Sequence, residues 1–291
     1  MKSLGQILTF FGLLLGSASL AFAGSATDIT GLYYTGVNSS YGLLSGGATD
    51  SHWTVTYAYA NGTSANTSYE GAAYVVSSSY IDAGWVQNTG SAQWIIAPGA
   101  STASTGGTTN TGGVYLPGNG TSGTNRAQYV YTLAFNVVGT GTGTATNNIS
   151  ISLTIAADDQ YKVYVNPTLN GNGSVNTNSS TSSATGLSAW NNTKTINLQN
   201  FTNANGSANA NFVIGTNYLT IVVDNTNSVT GSSGSNAWNP SGLLVYQVGT
   251  AMTIDGRPIP EAHTWVALAG ALGIVLIVRH RRRSVAQAGT D

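Results

Sequence analysis

Between residues 24 and 258 no stretch of this chain sustains an apolar period of 3.6 residues; apolar side chains come in short runs bounded by Gly, Asn, Ser and Thr. Nine such runs read as strands: 53–59, 73–76, 94–96, 128–137, 149–155, 161–165, 194–198, 218–223 and 243–248. They are rich in β-branched and aromatic residues, and several alternate with period two, which puts every second side chain on one face of a sheet. At least nine strands without a helix predict an all-β domain, a sandwich or jelly roll whose sheets each turn one face to the core.

Cysteine is absent. Disulfides, thiolate metal sites and cysteine nucleophiles are therefore excluded, and the domain must hold itself together by its core. The 15 Tyr and 6 Trp of the chain supply large apolar areas for that purpose. Three tracts, 99–113, 118–125 and 170–186, are mostly Gly, Ser, Thr and Asn. They read as loops, because they lack the apolar side chains that offset the entropy of ordering. There is no fixed-period repeat, and the Gly-Thr tract at 139–144 is a local feature without regularly spaced copies.

Residues 24–258 carry four bases (Arg126, Lys162, Lys194, Arg257) and eight acids, a net charge of about −4, with no basic stripe. This argues against a nucleic-acid partner. Nearly all the polarity is uncharged, which suits a polysaccharide-rich or cell-surface environment. Sequons such as Asn38-Ser39-Ser40 are expected by chance in so Asn- and Ser-rich a chain and do not establish glycosylation.

Few residues are equipped for catalysis. His52 is the one histidine between 24 and 258, and no nucleophile motif, H-E-x-x-H or P-loop accompanies it. A glycosidase needs two carboxylates about 5–10 Å apart across a cleft. Asp158 and Asp159 are sequence neighbours, so in a strand they point to opposite faces. No enzyme is expected. Asp158 and Asp159 read as Asx turns ahead of a strand, with one side of a calcium site as the alternative, since calcium takes carboxylate and carbonyl oxygens from loops. No other cofactor is expected. Gly215-Thr216-Asn217 reads as a hairpin turn. Trp94 has apolar neighbours and belongs to the core, whereas Trp85, Trp190 and Trp238 lie in polar sequence. These three are the better candidates for stacking on a sugar face, while burial beneath a loop is the expectation for any one of them.

The two ends agree on one topology. Met1-Lys2, an apolar stretch over 7–15 and Ala21-Phe22-Ala23 form a secretory signal with cleavage between Ala23 and Gly24. At the other end Pro260-Glu261-Ala262 precedes an apolar helix over 264–278 and the cluster Arg279-His280-Arg281-Arg282-Arg283. The 14 residues of 265–278 make about 21 Å of helix, against a hydrocarbon core of about 30 Å. The segment is a marginal anchor, suited to transient retention. The arginines belong on the cytoplasmic side, which leaves everything before Pro260 outside. A tail anchor that is never cut is the plainer alternative.

That order of motif, apolar helix and basic stop resembles the carboxy-terminal signal of PEP-CTERM proteins, which bacteria export and process with an exosortase. The chain departs from the pattern at Ala262, where the family usually has proline, and in the eight residues after Arg283. The body over 49–248 is similar to the galactose-binding-like jelly rolls that often accompany this signal. The matching pieces, in order, are Trp94-Ile95-Ile96-Ala97-Pro98, then 129–135, then Ala156-Ala157-Asp158-Asp159 leading into Val163-Tyr164-Val165-Asn166, then 212–225 and Pro240-Ser241-Gly242-Leu243. It departs where Asn166 is followed by Pro167, the family usually having Asn-Gly there. The resemblance implies three parts: a secretory signal peptide at 1–23, a β-sandwich ectodomain at 24–258 and a sorting signal at 259–291. It implies a non-enzymatic surface or extracellular-matrix protein, delivered by the Sec translocon and held in the membrane by its C-terminal helix. An exosortase-type enzyme would cut it near Pro260-Glu261, and exopolysaccharide would be its associate. The alternatives are a carbohydrate-binding module using loop tryptophans and a secreted glycan hydrolase.

Overall fold

The computed structural model describes residues 25–60, 64–65, 67–81, 84–99, 115–117, 126–177, 184–186, 190–199, 208–209, 211–226, 238–247, 252–255 and 257–259. The stretches read as a signal peptide (1–23), as an apolar helix (264–278) and as the loop tract 118–125, and all of the tract 99–113 but Gly99, lie outside them. The chain is all-β. Its strands are β1 (Ser25–Thr30), β2 (Thr49–Ala60), β3 (Ser64–Ala65), β4 (Gly71–Val75), β5 (Ile95–Ile96) and β6 (Tyr115–Pro117). Then come β7 (Arg126–Thr140), β8 (Ile149–Asp158), β9 (Gln160–Val165), β10 (Ala184–Gly186), β11 (Lys194–Gln199) and β12 (Ala208–Asn209). The last are β13 (Gly215–Thr226), β14 (Trp238–Pro240), β15 (Gly242–Tyr246), β16 (Met252–Ile254) and β17 (Arg257–Pro258). Among the described residues the helical pieces are two 3-10 turns, Thr67–Tyr69 and Ser78–Tyr80. No helix among those residues is long and apolar enough to cross a membrane.

Each of the nine runs read from the sequence overlaps a strand, and 73–76, 94–96 and 243–248 extend past theirs. Fifteen strands join one sheet, whose main order is β10-β9-β13-β7-β2-β4-β5-β15-β8-β11-β12, with β1 beside β7, β16 beside β8 and β17, and β3 beside β2. β14 and β6 form a separate pair. The backbone of the sheet is the long antiparallel register of β7 with β13, from Gly215 opposite Val137 to Thr226 opposite Arg126.

Alternation decides where the core lies. Along β7, Tyr129, Tyr131, Leu133, Phe135 and Val137 point into the main core, and Ile149, Ile151, Leu153 and Ile155 of β8 meet them there. Strands from both ends of the order therefore bury their apolar faces in one cluster. The other face of β7 and β13 carries a small cluster of Val130, Val222, Tyr164 and Val175.

Val175 belongs to a tract that reads as a loop, so the expectation for 170–186 is corrected in part. Leu169 bridges Val175, and Ala184–Gly186 pairs with β9. The tract is seated on β2: Gly173 has φ +85°, and a Cβ there would lie 2.0 Å from the Thr56 carbonyl oxygen. Only glycine permits that conformation and that approach together. The hairpin turn expected at 215–217 is also corrected. Gly215 already opens β13, and Asn217 is a buried strand residue. Its side chain accepts from the Val213 N–H at 2.9 Å and donates to the carbonyls of Val213 (2.8 Å) and Gly215 (2.9 Å), so the bend it closes precedes the strand.

Candidate functional site

A cluster of polar side chains that includes a buried carboxylate lies at the entry to β2. Between Asp50 and Thr54 the pairing of β2 with β4 slips: Asp50 faces Ala73, and the next partners are Thr54 and Ala72. Residues 51–53 thus bulge from that ladder, and their N–H groups need other acceptors. Asp50 supplies those of His52 and Trp53. Its Oδ1 accepts from the N–H of His52 at 2.9 Å and of Trp53 at 3.3 Å, and its Oδ2 accepts from the Gly36 N–H at 2.7 Å. The carboxylate is fully buried, and burial raises its pKa against the lowering effect of these three donors and of His52.

The segment before β2 folds over this carboxylate. Gly36 has φ +73°, and a Cβ on it would lie 2.6 Å from Cβ of Gln93, so the turn that delivers its N–H to Asp50 is open to glycine alone. Beyond it Val37 bridges Leu43. Asn38 closes the tip, its Oδ1 accepting from the N–H groups of Ser40 and Gly42, each at 2.9 Å. Ser39 is held at that tip with its Oγ 3.2 Å from Nε2 of His52. On the other side of the ring, His52 Nδ1 lies 3.8 Å from Asp50 Oδ1, beyond hydrogen-bond reach, and has no other partner. Tyr33 covers the imidazole, with ring centroids 3.7 Å apart, and Tyr41 packs on Tyr33 at 5.0 Å.

Ser39, His52 and Asp50 thus lie in series as hydroxyl, imidazole and carboxylate, with a hydrogen bond on the Ser39 side alone. Burial lowers the His52 pKa and the Asp50 charge raises it; burial is the larger effect, so the imidazole is neutral at neutral pH. The carboxylate favours the tautomer with the proton on Nδ1, which leaves the Nε2 lone pair to accept from the Ser39 hydroxyl. In sequence His52 stands without a nucleophile motif. The hydroxyl comes from 13 residues upstream, and the signal that could have found it is the Asn38 tip between two glycine-bearing turns.

The residues singled out from sequence lie elsewhere. Trp85 is 6 % exposed, and its ring packs on Trp94 with centroids 4.4 Å apart. This is the burial expected of any one of the three, and it removes Trp85 from the candidates for sugar stacking. Trp190 is partly exposed and packs on the main core, and its carbonyl accepts from the Val86 N–H at 2.9 Å. The Trp238 backbone pairs with Pro117 in the separate ribbon, and its side chain is not among those described. Trp94 is fully buried, as expected, and donates from Nε1 to the Val86 carbonyl at 2.7 Å. Asp158 ends β8, buried, and its carbonyl accepts from the Ser241 hydroxyl at 3.3 Å; Asp159 is partly exposed. Among the described residues no group of three His, Asp or Glu side chains gathers where a metal would bind. Ala23, Gly24, Pro260, Glu261, Ala262, Arg279, Arg281, Arg282 and Arg283 all fall outside the described residues.

No family model, curated protein or solved structure matches the chain.

Proposed function

We propose that this is an exported, non-enzymatic protein of the cell surface or extracellular matrix, sorted by an exosortase-type system and associated with exopolysaccharide. The observation that carries the proposal is the order of signals around the body. A secretory leader ending at Ala23 comes before an all-β domain, and Pro260-Glu261-Ala262, a marginal apolar helix and an arginine cluster come after it. The body suits life outside the cell without disulfides. It has no cysteine, and its core includes the fully buried Trp53, Trp94, Tyr129, Tyr131 and Phe212.

We read the sheet as a jelly-roll-like sandwich. In support, strands from both ends of the strand order share one core, and the tight link between β8 and β9 carries the chain from one end of that order to the other. The test is intact mass spectrometry of the protein recovered from the native envelope and medium. A species beginning at Gly24 and ending near Pro260 is the expected result. A chain that retains Arg281 to Asp291 would mean an uncut tail anchor and would remove the exosortase. Deleting 260–291 is expected to abolish membrane retention.

A second reading, a carbohydrate-binding module, is favoured by the partial exposure of Trp190. Trp190→Ala should then weaken retention of the protein on the native exopolysaccharide. Equal retention of variant and parent would remove that residue from the reading.

A further inference from the structure

Beyond the matrix role proposed above, and independently of it, the entry to β2 carries a chemical capacity. We propose that Ser39 is a nucleophile toward activated acyl and phosphonyl donors, with His52 as its general base.

Four observations support this. The Ser39 Oγ lies 3.2 Å from His52 Nε2, within reach for proton transfer. The opposite ring nitrogen lies 3.8 Å from the buried Asp50 carboxylate, without a hydrogen bond to it, and the charge there favours a proton on Nδ1 and stabilises the imidazolium formed during the step. Tyr33 lies over the ring at 3.7 Å and holds its plane. Ser39 itself is exposed, at the tip of a loop closed by Asn38, so a donor can approach it from solvent.

In the step, the Ser39 hydroxyl oxygen bonds to the carbonyl carbon or phosphorus of the donor, and its proton passes to Nε2 of His52. The bond to the leaving group breaks, and the leaving group departs with that electron pair. An alcohol leaving group takes the proton back from the imidazolium; a fluoride leaves as the ion, and the imidazolium releases its proton to water. Ser39 ends as the ester, and no redox partner is involved.

The same loop limits the chemistry. The N–H groups of Ser40 and Gly42 both donate to Asn38 Oδ1, and that of Tyr41 donates to the Asn38 carbonyl. These three donors are committed and cannot hold an oxyanion, and each missing oxyanion donor costs about 10²–10³ in rate. The site therefore accepts one group from a donor with a good leaving group and does not turn over ordinary esters quickly. A single covalent load on Ser39 is compatible with a scaffold.

The test is labelling of the full chain with an alkyl fluorophosphonate, followed by intact mass and peptide mapping. One adduct is expected, on Ser39, formed about a hundredfold faster than on the adjacent exposed Ser40. Ser39→Ala should remove it, and His52→Gln should slow it about a hundredfold. The labelling rate should rise with pH and level off, with its midpoint below the ordinary imidazole value of 6.5, because burial between Tyr33, Ser39 and Asp50 disfavours the charged ring. Labelling of Ser39 no faster than Ser40 overturns the proposal, as does an unchanged rate in a folded His52→Gln protein. If His52→Gln fails to fold, the Ser39 to Ser40 ratio and the pH profile of the parent protein decide alone.

Discussion

The core around Trp94 and the corner around Asp50 are both buried, and they are held by opposite means. Around Trp94 the side chains are large and apolar, and Trp85 packs directly on its ring. Their stabilisation is an area effect spread over many neighbours. Around Asp50 one carboxylate accepts from three backbone N–H groups, two of them freed by the bulge in β2 and one brought from Gly36. There the stability rests on one group, and what it holds in place is geometry. Large apolar cores tolerate shape changes by degrees, whereas a carboxylate that serves three donors has no substitute of the same chemistry.

The largest change expected from a single substitution is at the first of these regions. Trp94→Ala should destabilise the fold by about 3–5 kcal/mol, read from urea unfolding. A loss below about 1 kcal/mol would mean that the ring is not the packing centre. Asp50→Ala should come next, at about 1–3 kcal/mol, because it strands buried N–H donors without an acceptor. It should also lower the protection of the Gly36 amide against hydrogen exchange, which Trp94→Ala at equal destabilisation should not do selectively.

A smaller effect separates the regions by pH. The folded-state pKa of His52 lies below its ordinary 6.5, so the neutral ring's contribution is fully present above about pH 6.5 and is lost as pH falls toward the lower folded value. Asp50 acts with the other sign. Its folded pKa lies above 3.8, so on further acidification the folded state takes up that proton first and regains some stability. Denaturation midpoints of His52→Gln should lack the first decline, and the Trp94 side of the molecule should contribute nothing to it. The smallest change expected is a gain. The Tyr161 hydroxyl is buried without a partner, and burial pushes its pKa up to about 12. Tyr161→Phe should therefore leave stability unchanged or raise it by up to about 1 kcal/mol, by thermal melting.

The contrast between the regions also explains what could be read in advance. β7, β8 and β13 were legible because their alternation is dense: Tyr129, Tyr131, Leu133, Phe135 and Val137 announce one face of a strand without any knowledge of partners. β1, with the sequence Ser-Ala-Thr-Asp-Ile-Thr, and the three-residue β10 were not legible. They are strands because β7 and β9 offer free edges to them, which is a property of the assembled sheet and not of the segments. The Ser39–His52 contact was hidden for a related reason. Its members are ordinary residues, and the loop closure by Asn38 and the bulge at 51–53 are what bring them together. Trp85 shows the converse: its sequence neighbours are polar, and packing on the ring of Trp94 buries it all the same.

The pairing of the last strands has a mechanical consequence. β16 meets β8 through Met252, Thr253 and Ile254, and β17 adds two residues folded back on it. β1, the first strand, lies against β16 and pairs with the far end of β7. A tension that enters beyond Pro258 would open these short ladders one rung at a time, as a zip opens, and would leave the long β7–β13 register unloaded until they had gone. A protein tethered by its C-terminal side would thus yield a few residues of slack at low force while its interior stayed shut.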